Sequence, residues 1–92
     1  MTAEQAAVTA LQVLSWLIGD DDLRDVFMGA TGAGPEALRD QAADPAFQAA
    51  VLDFLMLDDA WVMRFCDAHE LPYDLPMRAR ATLPGQEQVH WT

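Results

Sequence analysis

Residues 13–21 read Val-Leu-Ser-Trp-Leu-Ile-Gly-Asp-Asp, and residues 51–59 read Val-Leu-Asp-Phe-Leu-Met-Leu-Asp-Asp. The two stretches align without gaps at a spacing of 38 residues, which also pairs Phe27 with Phe65 and Ala30 with Ala68. Self-similarity at a fixed period indicates one supersecondary unit built twice, in which neither copy can bury its apolar face alone. The sequence therefore predicts a tandem repeat with units at about residues 5–43 and 44–83.

Apolar residues recur at helical spacing along the chain, and no run of alternating residues indicates a strand. Signals for helix starts, namely capping side chains and Pro at the first helical position, divide this pattern into short segments. The predicted starts are Thr2, Asp20 or Asp21, Gly34-Pro35, Asp44-Pro45, Asp58 or Asp59, and Tyr73. We expect an all-α fold: a compact bundle of five to six short helices over residues 1–83, with a pseudo-twofold relation between the two three-helix units. We expect residues 84–92 to be a polar C-terminal tail outside this domain.

The chain has 92 residues and fits one domain, which at this size buries roughly 60–65% of the surface of its unfolded chain. Its apolar fraction of 52% exceeds the usual ~45–50%, so we expect spare apolar surface and self-association as a homodimer. Cys66 is the only cysteine, which excludes an internal disulfide and suits a reducing compartment. The N-terminus lacks a basic region, and no apolar run approaches the ~20 residues of a membrane span. We therefore expect a cytoplasmic protein.

The net charge of −10 disfavours partners that are themselves negatively charged. Binding to nucleic acid depends on Lys and Arg that neutralise phosphates, and this chain has five arginines and no lysine. The same deficit disfavours attraction to anionic lipid. We expect neither nucleic acid nor membrane as a partner.

Between Asp22 and Arg39 the sequence follows the pattern Asp-Leu-x-x-x-Phe-x-x-x-Thr-Gly-x-x-Pro-x-x-Leu-Arg. It continues with Asp44-Pro45-x-Phe47 and then Val-Leu-Asp-Phe-Leu at residues 51–55. These motifs resemble a small bacterial family, found mainly in alphaproteobacteria and catalogued as domain of unknown function 3572. The resemblance covers about residues 5–83, and its most specific part is residues 44–59. It implies a compact helical fold and no assigned activity, catalytic residues or cofactor.

Two acidic clusters, at residues 20–22 and 58–59, are candidates for a cation site because hard cations require several oxygen ligands. The weak metal candidates are Asp21, Asp58, Asp59 and His69. Neither cluster has the alternating acids, Gly and terminal Glu of a calcium loop. Acids at helix starts also satisfy free N–H groups and the positive end of the helix dipole. Capping is therefore the favoured interpretation.

Cys66, His69 and Glu70 stand at positions i, i+3 and i+4 of a predicted helix, so their side chains could converge. A structural zinc site needs four protein ligands, and His90 is the only further His or Cys. A Cys–His nucleophile would also need an acid or an oxyanion feature that the sequence does not indicate. A buried cysteine and a histidine at a helix end are the favoured interpretation.

Asp53 interrupts the apolar run at residues 49–57, where an unpaired buried carboxylate would be costly. We expect it to face solvent or to pair with an arginine such as Arg64 or Arg39. The remaining candidates for an interaction surface are Met56, Leu57 and Trp91. Trp91 stands alone on the tail, where no predicted core accounts for it.

The sequence favours a non-enzymatic protein-interaction or adaptor module without a cofactor. The first alternative is an enzyme or a metal-dependent site that uses Asp21, Asp58 and His69, whose side chains would have to meet in one pocket at the interface between the repeats. The second alternative is an acidic decoy for a nucleic-acid-binding protein, which would need carboxylates spread over one face. The sequence identifies no partner.

Overall fold

Six α-helices account for all the regular structure in the part of the chain that the computed structural model describes, residues 1–32 and 34–83. Their bounds are α1 Ala3–Gly19, α2 Asp21–Thr31, α3 Pro35–Gln41, α4 Pro45–Leu55, α5 Asp59–His69 and α6 Leu75–Thr82. The predicted all-α bundle of five to six helices is thereby confirmed. None of the helices in these residues is long and apolar enough to cross a membrane.

Local capping chemistry fixes where the helices begin and end. Thr2 and Gln5 form a reciprocal capping box: the Gln5 N–H donates to Thr2 Oγ1 at 3.1 Å, and the Thr2 N–H donates to Gln5 Oε1 at 2.8 Å. Helix α2 ends at Thr31 and is capped by Gly32, whose φ of 71° lies in the left-handed region that favours glycine. Pro35 and Pro45 occupy first-turn positions of α3 and α4, where a missing N–H costs nothing.

Helix α4 is largely buried, as its nearly continuous apolar sequence predicts. It packs against α1, α5 and α6, while α1 also packs against α2 and α6. Seven of its eleven residues are buried: Phe47, Gln48, Ala49, Val51, Leu52, Phe54 and Leu55. The one polar member, Gln48, donates from Nε2 to the carbonyl of Ala42 at 2.8 Å. This bond satisfies the buried amide nitrogen and ties α4 to the end of α3.

The two halves of the chain bury their aromatic rings against each other. Phe27 of α2 meets Phe54 of α4 edge to face, with ring centroids 5.1 Å apart. Trp16 of α1 meets Phe65 of α5 in the same manner at 5.9 Å. Each pair joins one half to the other, so the core is shared between them.

Corresponding positions of the internal echo have corresponding environments. Four pairs of identical residues at the 38-residue spacing are buried in both copies, namely Val13 with Val51, Leu14 with Leu52, Leu17 with Leu55, and Phe27 with Phe65. Asp20 and Asp58, also 38 residues apart, are both N-caps. The copies differ in length, because α1 has 17 residues and α4 has 11. The pseudo-twofold relation between the units stays a prediction.

Candidate functional site

Three of the acidic side chains act as helix caps. The backbone N–H groups of Leu23, Ala46 and Ala60 donate to Oδ1 of Asp20, Asp44 and Asp58 at 3.1, 3.0 and 2.8 Å. Asp20 is thus the cap of α2 rather than Asp21, and Asp58 is the cap of α5 rather than Asp59. The hydrogen bond from Leu23, together with Arg64, lowers the pKa of Asp20 below its ordinary value.

The candidate metal ligands are not gathered in one place. The Asp21 side chain is 86% exposed and pairs with Arg24 at 3.3 Å. Asp58 precedes the first residue of α5 and His69 is its last residue. A helix of eleven residues is roughly 16 Å long, so the length of α5 lies between them. Within residues 1–32 and 34–83 no group of three or more His, Cys, Asp and Glu side chains could hold a metal ion. The convergence that the enzyme alternative requires is therefore not found for Asp58 and His69.

Different groups contact each of the three residues Cys66, His69 and Glu70. Cys66 is fully buried, its Sγ donates to the carbonyl of Pro72 at 3.4 Å, and burial raises the pKa of its thiol. The His69 ring packs on Phe65 with centroids 4.6 Å apart. Glu70 ends α5 with a left-handed φ of 55°. A thiol held neutral in the core is a poor nucleophile, which agrees with the interpretation of Cys66 as a core residue.

Asp53 pairs with an arginine, which is one of the two expectations, but the arginine is Arg80 and neither of the suggested Arg64 and Arg39. Arg80 Nε donates to Asp53 Oδ1 at 2.8 Å, and the Arg80 side chain is only 11% exposed. The reason is the packing of α6 on α4, which places Arg80 beside Asp53. Arg64 instead reaches Asp20 at 3.1 Å and covers the ring of Trp16 at 5.5 Å.

The Asp53–Arg80 contact leaves one guanidinium nitrogen unsatisfied. Arg80 Nη1 is buried and has no hydrogen-bond partner among the described residues. A buried donor without an acceptor is costly, so the ion pair that holds the rest of the guanidinium becomes important for stability. Asp53 is thus a structural partner of Arg80, with 44% of its side chain exposed.

A groove of about 300 Å³ lies beside Met56, between the start of α5 and the start of α6. Its apolar lining consists of Met56, Val62, Tyr73, Pro76 and Met77. Its charged lining consists of Asp59 and Asp74. We call this site the methionine groove. Met56 is the one lining residue of this groove that the sequence predicted for an interaction surface.

Part of the apolar lining of the methionine groove is exposed to solvent, while Pro76 is buried and Met56 and Val62 pack against the core. Leu57, which follows Met56 in the chain, is 77% exposed, and the lining residues Met77 and Tyr73 are 60% and 52% exposed. The Tyr73 hydroxyl donates to Asp67 Oδ1 at 2.7 Å, and this bond raises the pKa of Tyr73. The structure thus supplies Tyr73 and Met77, which sequence reasoning missed because their segment is remote from Met56 in the chain.

Trp91, the remaining interaction candidate, lies outside the described residues. The other two tryptophans are half-buried and pack against the core. Trp61 stacks on Phe54 with centroids 5.2 Å apart, which agrees with the interpretation of Trp16 and Trp61 as core residues.

Comparison with known proteins identifies the family and no activity. No curated protein and no solved structure matches the chain significantly. The family described as "Protein of unknown function (DUF3572)" matches residues 3–86. This match takes in all six helices and the two capped acidic clusters. The chain therefore belongs to the DUF3572 family.

Proposed function

We propose that this protein is a non-enzymatic interaction module of the cytoplasm, and that its methionine groove binds a basic amphipathic helix of a partner protein. The observation that carries the proposal is the exposure of large apolar side chains that line this groove, with Met77 at 60% and Tyr73 at 52%. Scattered apolar residues on a surface need no explanation, whereas a contiguous set around a concave site is typical of binding surfaces. The cytoplasmic assignment rests on the single, reduced Cys66.

The residue types at the groove suit an apolar helix face. Met56 and Met77 have unbranched, polarizable side chains that adapt to irregular partner surfaces. Tyr73 offers a large, rigid ring, a residue type enriched at interfaces. Burial of such side chains yields roughly 25 cal/mol per Å² of apolar surface removed from water. A partner helix would meet these side chains with anchors at positions i, i+3 or i+4, and i+7.

Charge selects a basic partner. Both charged residues in the lining, Asp59 and Asp74, are acidic, and Asp67 lies next to the groove through its bond to Tyr73. Arg78 pairs with the lining residue Asp74 at 3.3 Å, but both side chains are more than half exposed, so the pair is weak. The net charge of −10 would steer a cationic partner toward the protein. A second copy of this chain would bring like-charged rims together in a symmetric interface.

The test uses the full chain and two fluorescent peptides. One peptide carries leucines at i, i+4 and i+7 with lysines elsewhere, and the other has glutamates in place of the lysines. We expect the basic peptide to bind in anisotropy titrations and the acidic peptide not to bind. Binding should weaken as the salt concentration rises from 50 to 300 mM, because screening shortens the reach of the acidic rim.

A matched pair of variants localises the binding. Met77→Ala removes a lining side chain, whereas Met63→Ala removes one that is 44% exposed on α5 and does not line the groove. We expect a loss of about fivefold in affinity for Met77→Ala and little change for Met63→Ala. Equal effects of the two variants, or no binding of the basic peptide, would overturn the proposal. A dimer in sedimentation equilibrium that Met77→Ala dissociates would instead identify a second copy as the occupant.

Neither alternative has comparable support. An active or metal-dependent site would need Asp21, Asp58 and His69 together, and α5 separates Asp58 from His69 by its own length. A decoy of nucleic acid would need carboxylates spread over one face, whereas Asp20, Asp44 and Asp58 stand at helix starts and accept backbone hydrogen bonds.

A further inference from the structure

A second groove, remote in sequence from the methionine groove, lies among α1, α2 and α3. Its volume is about 490 Å³, within the range of roughly 300–1,000 Å³ that is usual for small-molecule sites. Its apolar lining consists of Leu14, Ile18, Met28, Pro35, Leu38 and Ala42. We call it the arginine groove, because its only charged lining residues are Arg24 and Arg39.

The charged residues that line this groove are basic, although the chain as a whole is acidic. The protein has 15 acidic residues against five arginines, yet two of the five arginines and none of the acids line this groove. Arg24 forms ion pairs with Asp21 at 3.3 Å and with Asp25 at 3.8 Å, and both carboxylates are largely exposed. Arg39 makes no ion pair with any residue that the structure describes. Its guanidinium therefore has donors available at the edge of an apolar site.

The two grooves differ in the exposure of part of their apolar lining. Leu14 and Leu38 of the arginine groove are 7% and 3% exposed, whereas Met77 and Tyr73 of the methionine groove are 60% and 52% exposed. The lining of the methionine groove also includes the buried Pro76. Exposed side chains such as Met77 and Tyr73 suit the face of a partner helix, whereas the volume of the arginine groove is that of a small-molecule site.

We propose that the arginine groove binds a small anionic amphiphile, a molecule with a hydrocarbon body and one terminal carboxylate. The hydrocarbon body packs on Leu14, Leu38 and Met28, and the carboxylate accepts hydrogen bonds from the Arg39 guanidinium. A guanidinium presents parallel N–H donors that match the two oxygens of a carboxylate. This inference is independent of the proposed function, since the two grooves share no lining residue.

The net charge of −10 does not prevent such binding. Screening at physiological salt limits repulsion between exposed charges to about 8 Å, so carboxylates farther from the groove than this contribute little. Asp21 and Asp25 lie closer, because both contact Arg24, and they offset the charge of Arg24 and leave Arg39 as the cation on which the proposal rests. The contact between the carboxylate and Arg39 acts at hydrogen-bond distance beside apolar walls, where electrostatic attraction is stronger than in bulk water.

The test is calorimetric titration of the full chain with decanoate below its micellar concentration, with decanol as the neutral comparator. We expect decanoate to bind at least about tenfold more tightly than decanol, and Arg39→Gln to remove most of that difference. Arg78→Gln is the matched control, because Arg78 is also an exposed helical arginine but does not line this groove. Equal affinity for decanoate and decanol, or equal loss in the two variants, would overturn the proposal.

Methyl NMR of the five methionines shows which groove is occupied. Decanoate should shift the methyl signal of Met28, the only methionine in the arginine groove, while leaving Met56 and Met77 in place. The basic peptide should shift Met56 and Met77 and leave Met28 in place. A decanoate effect confined to Met56 and Met77 would refute the arginine groove as an anion site without bearing on the peptide. The two proposals therefore fail separately.

Discussion

Leu55→Ala tests whether α4 is the centre of the fold. Leu55 is fully buried at the last position of α4 and is the counterpart of Leu17 in the second copy of the repeat. Truncation of a buried leucine removes its transfer free energy and leaves a cavity, and such changes cost about 2–5 kcal/mol. This is a large part of the ~5–15 kcal/mol that stabilises a whole domain. For a domain of this size even 2 kcal/mol lowers the melting temperature by roughly 8–16 °C.

The matched control is Leu57→Ala, two residues after Leu55 in the chain. Leu57 has the same side chain but is 77% exposed, so Leu57→Ala should change the free energy of unfolding by less than about 0.5 kcal/mol. Equilibrium urea denaturation, followed by far-UV circular dichroism, measures both variants under the same conditions. Similar losses for the two variants, or a loss below about 1 kcal/mol for Leu55→Ala, would refute the central position of α4.

Three further predictions concern the ionic and capping contacts. Asp58→Ala should lower the free energy of unfolding by about 0.5–2 kcal/mol while Asp58→Asn changes it little, in urea denaturation, because only the first loses the capping oxygen. The lowered pKa of Asp20 means that its stabilising contribution is present at neutral pH and is lost as the pH falls below about 4. Asp20→Asn keeps a cap but loses the charge that Arg64 meets, so in melts between pH 5 and pH 2 its stability should fall less steeply than that of the parent. Asp53→Ala should cost about 1–3 kcal/mol because it leaves Arg80 buried without its carboxylate, and a double-mutant cycle with Arg80→Met should recover part of that loss.

Helix boundaries could be predicted from sequence because they depend on chemistry within a few residues. Gly32 ends α2 since it adopts a positive φ at no steric cost, and Pro45 begins α4 behind the capping carboxylate of Asp44. The ambiguity between Asp20 and Asp21 had a physical origin as well. Consecutive aspartates are equally able to cap, and the path of the backbone, extended at Asp20 and helical from Asp21, decides between them.

Contacts between distant segments could not be predicted in the same way. Asp53 and Arg80 stand 27 residues apart, and nothing in that spacing distinguishes Arg80 from Arg64 or Arg39. The choice follows from the packing of α6 on α4, which depends on the whole core. The methionine groove likewise joins Met56 to Met77 from separate segments, so the sequence indicated only the part of it that adjoins the apolar run.

Stability and partner choice depend on different acids in this protein. Asp20, Asp44 and Asp58 each give one oxygen to a backbone N–H at a helix start, a role that asparagine also fills, and Asp20 adds an ion pair with Arg64. Asp59 and Asp74 line the methionine groove and make no capping bond through their side chains. Their negative charge is therefore the property that a basic helix would recognise. Neutral substitutions at these two positions change the rim of the groove while the hydrogen bonds that begin α2, α4 and α5 remain in place.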